Sequence, residues 1–233
     1  MKNRVLIFAG GTGQRMGNEK PKQFLEVDEK PILVHTIEKF ENCDEIDSIV
    51  VVCLKDYIPY VYQLVEKFSL SKVVSVIEGG NCGQQSIFFG LKELVRLYGE
   101  SDDVVLIHDG VRPVIDDALI KANVACVHQN GNSVTVAKSI ETIVLLDEND
   151  VVDKVMDRKY CNVAKAPQCF LLKDIYSCHL KAIAENRLDF IDSAMLMQFY
   201  GHKIFTVLGS GDNIKITTPM DFELFKTILG AKK

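Results

Sequence analysis

The sequence predicts an α/β fold, with a mainly parallel twisted sheet, helices on both faces and a protruding β-arm. Two observations carry this. Up to Asn130, short apolar runs alternate with segments of helical spacing, the pattern of successive β–α–β units. After Asn130-Gly131 the rhythm breaks into consecutive β-rich runs, which suit a hairpin rather than another crossover.

The elements follow in order. Val5-Leu6-Ile7-Phe8, bounded by glycine, reads as a buried parallel strand. Leu33 to Phe40 has helical spacing, and Pro31 suits its first turn. Ile46 to Cys53 is a second apolar strand, and Tyr57 to Phe68 a second helix. Val73 to Ile77 is a short strand closed by Gly79-Gly80. Gln84 to Tyr98 carries apolar residues at helical spacing, Ile87, Leu91, Leu94 and Val95. Val104 to Ile107 is a fourth strand and Asp117 to His128 a fourth helix. Right-handed crossovers bring the loops after these strands to one sheet edge, where ligands bind. Ser133 to Ala137 and Glu141 to Leu146 are then two β-rich runs, followed by the polar turn Asp147-Glu148-Asn149-Asp150 and by Val151-Val152. They read as hairpin-like, so residues 138–163 are expected to project as an arm from a single domain spanning residues 1–233. Helical spacing returns at Leu172 to Ala184 and Asp192 to Tyr200; a strand from Lys203 to Leu208 and a helix from Pro219 close the chain.

Composition narrows the function. A net charge of −5 argues against a nucleic-acid surface. No apolar stretch approaches the length of about 20 residues that spans a bilayer, and Val5 to Phe8 is too short for a secretory signal. The expectation is a cytoplasmic protein without a nucleic-acid or membrane partner. Seven cysteines with no Cys-x-x-Cys read as reduced packing thiols. Neither Cys126-x-His128 nor Cys178-His179 has the paired spacing of structural zinc.

The chemistry starts at Ala9-Gly10-Gly11-Thr12-Gly13-Gln14-Arg15-Met16-Gly17, directly after the first strand, and continues through Lys20-Pro21-Lys22-Gln23-Phe24. Glycines there let backbone N–H groups crowd around an anion, and Arg15, Lys20 and Lys22 add charge. Phosphate suits such a loop. The Walker pattern is absent, since no Gly-Lys pair precedes Ser or Thr. The dinucleotide pattern fails at Met16, where its third glycine would stand, and Pro21 interrupts the run into a helix. That argues against a nicotinamide-dependent oxidoreductase.

This loop resembles the signature of sugar-phosphate nucleotidyltransferases. The wording Pro21-Lys22-Gln23-Phe24 is similar to that of the CTP:polyol-phosphate cytidylyltransferases, which act on ribitol 5-phosphate or 2-C-methylerythritol 4-phosphate. The resemblance extends over nearly the whole chain and implies a Rossmann-like nucleotidyltransferase domain. It implies that Ala9, Gly10, Gly11, Thr12 and Gly13 hold the nucleotide, and that Arg15 takes the β- and γ-phosphates.

Further motifs extend it. Gly79-Gly80-Asn81-Cys82-Gly83-Gln84-Gln85-Ser86 reads on its own as a strand-ending turn with Ser86 near a helix start. The resemblance makes Gly80, Asn81 and Ser86 readers of a pyrimidine and its ribose, although the family usually has arginine at the place of Gly83. His108-Asp109-Gly110-Val111-Arg112-Pro113 could hold a structural ion pair. By resemblance, Asp109 and Arg112 lie at the acceptor and Gly110 meets the ribose. Arg158 could be a solvated side chain; in relatives the matching arginine reaches across a dimer to the acceptor phosphate. Ala166 and Ile191 stand where relatives carry threonine, and Asp192 retains the family's aspartate. Asp212-Asn213-Ile214-Lys215-Ile216-Thr217 matches the family's terminal motif, with Lys215 as the second catalytic ammonium beside Lys22.

The resemblance therefore implies transfer of CMP from CTP to a polyol phosphate in a homodimer joined by the arms. Mg²⁺ would be held mainly by the CTP phosphates, with Asp109 as a candidate protein contact. The departures at Gly83, Ala166 and Ile191, and the wording from Lys30 to Phe40, favour ribitol 5-phosphate over methylerythritol phosphate. A non-catalytic nucleotide binder on the same fold is the alternative of another class.

Overall fold

The structure, a computed structural model, describes residues 1–11 and 20–231. A seven-stranded sheet organises the chain, in the order β11-β7-β10-β6-β1-β4-β5. Its strands are β1 (Asn3–Ala9), β4 (Ser48–Cys53), β5 (Val73–Glu78), β6 (Val104–Asp109), β7 (Asn132–Lys138), β10 (Asn162–Leu171) and β11 (Thr206–Leu208). Pairing is parallel from β6 through β1 and β4 to β5, and between β11 and β7. β10 alone in this sheet runs against both its neighbours, β6 and β7. Glu26–Val27 (β2) and Lys30–Pro31 (β3) form a small separate ladder.

Alternation along the strands builds two cores. Val5, Ile7, Ile49, Val51, Val104 and Leu106 face one side of the sheet, against Leu33, Val34, Ile37 and Phe40 of α1 (Ile32–Glu41). That side also takes α2 (Ile58–Lys67) and α4 (Asp117–Asn130) through Val61, Leu64, Ile120 and Val124. Leu6, Val50, Val52, Val105 and Ile107 face the other side. There they meet α3 (Gly83–Tyr98), α5 (Leu172–Ala184) and α6 (Ser193–Phe199). The near-continuous apolar strands thus reflect burial on both faces. Chain order moves from β1 out to β4 and β5, then returns across β1 to β6. The ends of β1 and β6 therefore border the crevice in which open α/β sheets bind ligands.

Two expectations about the second half are corrected. Ser133 to Ala137 does not pair with Glu141 to Leu146 as a hairpin; it lies in β7, inside the main sheet beside β10 and β11. The hairpin pairs β8 (Val144–Leu146) with β9 (Val152–Val155), turned by Asp147, whose carboxylate accepts from the Asn149 and Val151 N–H groups. The base of the expected arm also belongs to the sheet, since Asn162 and Val163 pair with Lys138 and Ala137. The second correction is β10 itself, which the sequence pattern did not reveal. Pro167 interrupts it, and its pairing with β7 skips from Ala164 to Gln168.

The final helix α7 (Pro219–Gly230) starts at a capping box. Thr218 Oγ1 accepts from the Asp221 N–H while the Asp221 carboxylate accepts from the Thr218 N–H.

Candidate active site

The two glycine clusters, far apart in sequence, meet at Ser86. A Cβ on Gly10 would sit 3.6 Å from Ser86 Oγ, and one on Gly79 3.0 Å from it. Ser86 Oγ accepts from the Gly80 N–H at 3.0 Å and donates to the Cys82 carbonyl. The Asn81 N–H donates to Gln85 Oε1 at 2.7 Å. A side chain on Gly80 would strike Gln85 at 2.5 Å, so glycine is needed for this close turn. The Gly80 and Asn81 donors are thus engaged within the loop.

Gln23 fixes the other side of the first loop. Its buried amide donates to the Ala9 carbonyl at 2.7 Å and the Gly11 carbonyl at 3.0 Å. Phe24 beside it stacks on Tyr57 with ring centroids 4.5 Å apart. These contacts explain Gln23 and Phe24 in the motif as anchors and leave Lys22 as its charged member. Lys22 is more enclosed than a residue of an open cleft, at 9% exposure. Its ammonium is among the groups that hold the Asp221 carboxyl below its ordinary range; burial acts upward there, and the Thr218 and Thr217 N–H groups outweigh it with this charge. Thr12, Gly13 and Arg15 lie outside the described residues.

A second group of charges closes on the end of β6. Asp109 is buried and accepts from Arg112 Nε at 2.8 Å through one oxygen and Lys215 Nζ at 2.6 Å through the other. Burial alone would raise its pKa, but the Lys215 ammonium and Arg112 guanidinium outweigh this and hold it below the usual carboxylate range. Arg112 Nη1 also donates to the Asn213 carbonyl at 2.9 Å, and Asn213 Nδ2 to the Ala166 carbonyl at 2.6 Å. The terminal motif is tied in this way to β10 and β6. Gly110 packs where a Cβ would lie 2.9 Å from Ala9 Cβ, with its N–H on the Phe8 carbonyl and its carbonyl accepting from Thr36 Oγ1. Close packing of β6 on β1 thus accounts for this glycine.

Asp109, Arg112 and Lys215 open onto a cavity of about 310 Å³ whose walls include Phe8, Ile107 and Leu196. Asp192 lines it as well, but its carboxylate is occupied: it caps α6 by accepting from the Met195 N–H and also accepts from Gln168 Nε2 at 2.9 Å. Lys165 and Gln168 also line the cavity without having been assigned a role from the sequence, and so does His179, which was weighed only as a zinc ligand and set aside. Lys165 and Gln168 lie on the unrecognised strand β10, and His179 reads as one more position on an amphipathic helix. A polar residue on each side of Ala166-Pro167 was the available signal for the first two.

The sequence profile of the IspD family, described as 2-C-methyl-D-erythritol 4-phosphate cytidylyltransferase, matches residues 4–231. The chain belongs to that family. Within it, the chain is 48% identical to a ribitol-5-phosphate cytidylyltransferase of Streptococcus agalactiae serotype V, covering 100% of this chain and 97% of the relative. It is 35% identical to a 2-C-methyl-D-erythritol 4-phosphate cytidylyltransferase of Clostridium novyi, covering 98% and 96%. The crystal structure of 4-diphosphocytidyl-2C-methyl-D-erythritol synthase from Anaerococcus prevotii superposes with a TM-score of 0.86 at 28% identity, covering 98% of each chain.

Gly83, Ala166 and Ile191, the positions at which the resemblance implied a different residue, all line the same 310 Å³ cavity. Ile191 is 90% exposed at its mouth. Arg158 does not line it; it sits in an exposed single turn, Arg158–Tyr160, after the hairpin. Among the described residues no group of three or more His, Cys, Asp or Glu side chains could hold a metal. With both Asp109 oxygens engaged by cations, the donor set fits an ion brought in on nucleotide phosphates and not a protein cage. No helix among the described residues is long and apolar enough to cross a membrane.

Proposed function

We propose that the protein transfers CMP from CTP to D-ribitol 5-phosphate, giving CDP-ribitol and pyrophosphate. The observation that carries the acceptor is the 48% identity, over the whole chain, to a relative named for ribitol 5-phosphate. The clustering of Gly83, Ala166 and Ile191 around one cavity supports it, because a recut acceptor pocket is what a change of polyol requires. 2-C-Methyl-D-erythritol 4-phosphate is the second reading, supported by the family description.

A phosphate oxygen of the acceptor attacks the α-phosphorus of CTP. The new P–O bond forms as the α–β bridging bond breaks, and pyrophosphate leaves with the electron pair. The acceptor phosphate is already anionic at neutral pH, so no general base is required. Catalysis rests on alignment and on stabilising charge at a crowded phosphorus. Lys22 and Lys215 are assigned to that charge, and Arg15 to the β- and γ-phosphates. Asp109 keeps Lys215 and Arg112 oriented across the crevice. Magnesium bound to the triphosphate would neutralise part of its charge, and Asp109 is the residue that would approach it through water.

The arms complete the proposal. Ile140, Val144, Leu145, Leu146, Val152 and Val155 are exposed apolar residues in or beside the hairpin. A twofold partner would cover two such arms at once and bring its Arg158 to this chain's acceptor site. The reading is of a cytoplasmic homodimer.

A pyrophosphate-release screen tests the reaction. CTP with ribitol 5-phosphate should give the highest kcat/KM, with methylerythritol phosphate weaker and ATP or GTP unused. Release with ATP would refute the pyrimidine slot at Gly10 and Gly80. No release with any polyol phosphate would leave the non-catalytic binder.

A further inference from the structure

We propose that Lys165 is a further substrate-binding residue that holds the acceptor's phosphate group, an inference that rests on the cytidylyltransferase reading above. Lys165 lies on β10 and lines the cavity beside Asp109, Arg112 and Lys215. Its ammonium donates to two neutral acceptors, the carbonyls of Gly211 and Asn213, each at 3.1 Å. No salt bridge reaches it among the described residues, whereas Arg112 and Lys215 both rest on Asp109. An ammonium carries three N–H donors, so one remains for a ligand.

The charge balance makes that ligand anionic. Arg112, Lys165 and Lys215 supply three positive charges to the cavity, against the two carboxylates of Asp109 and Asp192, which leaves positive charge in excess. Both Asp192 oxygens accept from neutral donors, Gln168 Nε2 and the Met195 N–H, so Asp192 keeps its charge but is held away from the Lys165 ammonium's own partners. Burial and the neighbouring Arg112 guanidinium both push the Lys165 pKa below its ordinary value, only partly opposed by Asp212. An entering anion relieves that repulsion.

The geometry admits an oxyanion, and the cytidylyltransferase reading makes it a phosphate. Arg112 Nη1 and Lys165 Nζ converge on one oxygen, the Asn213 carbonyl, at 2.9 and 3.1 Å. Two cationic heads that meet at one oxygen suit a group whose oxygens can accept from both. The cavity is lined from β6, β10, α6 and the start of α3, and neither Gly10 nor Gly80, to which the nucleotide is assigned, is among its lining residues. The phosphate in question is therefore the acceptor's, with the polyol chain lying along the apolar wall.

The test pairs Lys165→Met with Lys165→Arg. By calorimetry, Lys165→Met should bind ribitol 5-phosphate at least 10-fold more weakly than wild type, and Lys165→Arg should recover most of the loss. Ribitol without its phosphate should not distinguish the variants. In steady-state assays the acceptor KM should rise by a similar factor while the KM for CTP stays within twofold. A residue that only ties down the Gly211–Asn213 loop would instead lower kcat and the melting temperature and move both KM values together; that result, or unchanged acceptor binding in Lys165→Met, overturns the proposal. If wild type turns over no polyol phosphate, the reaction reading fails, and calorimetry still decides Lys165: absence of wild-type binding overturns it.

Discussion

Asp109 Oδ1 and Lys215 Nζ lie 2.6 Å apart, joining the end of β6 to the loop before α7. The lysine assigned to the transition state is therefore held by the carboxylate that also holds Arg112. Its position is preset, which lets its charge act without reorganisation when the phosphorus becomes crowded.

Lys215→Ala and Lys22→Ala should each lower turnover with CTP by about 10²-fold or more, the usual cost of losing a preorganised charge. Their effects on stability should differ. Lys215 is half-exposed and its loss leaves Asp109 paired with Arg112, so its melting temperature should change little. Lys22 is buried, so its variant should melt at a lower temperature. Near-normal turnover in a folded variant would remove that lysine from the mechanism.

Arg158→Ala should raise the KM for the polyol phosphate while leaving CTP binding nearly intact. The exposed hairpin and the position of Arg158 outside the cavity motivate this, since only a partner subunit would bring it there. Mixing Arg158→Ala with Lys22→Ala subunits should restore activity, because one composite site of each mixed dimer would be wild type. A monomer in sedimentation, or no rescue from subunits shown to exchange, excludes shared sites.

Stability should fall as the solution is acidified from about pH 6.5 to about 4. Burial pushes the pKa of both His108 and His179 down to about 4, so both are neutral in the fold. In that window the unfolded chain takes up protons that the folded chain refuses, and above it the contribution is constant. Each histidine is worth on the order of 3 kcal/mol across the window. Both ring nitrogens of His179 are buried without a partner among the described residues. His179→Leu should therefore flatten the dependence of the urea midpoint on pH and stabilise the protein at pH 7 by about 1 kcal/mol. An unchanged slope would show that His179 is protonated in the folded chain.

Much of this protein is legible in its sequence. The apolar runs at Val5, Ile49 and Val104 fix the parallel strands, because a strand covered on both faces has no polar register to keep. The glycines and cations from Ala9 to Lys22, the Asp109-to-Arg112 turn and the Lys215 motif can be read as phosphate chemistry because each is a local pattern.

Tertiary structure alone decided the rest. Only folding shows that β10 enters between β6 and β7, since its mixed polar run and Pro167 give no strand period. That antiparallel insertion is what carries Lys165 and Gln168 to the cavity and brings Ala166 to the cavity that Gly83 and Ile191 also line. The same holds for the meeting of Gly10 with Ser86 and the enclosure of Lys22. Local spacing constrains a residue's neighbours along the chain. Hydrogen bonds such as those from Lys165 and Arg112 to Asn213 depend on segments that only the packed sheet brings within 3.1 Å.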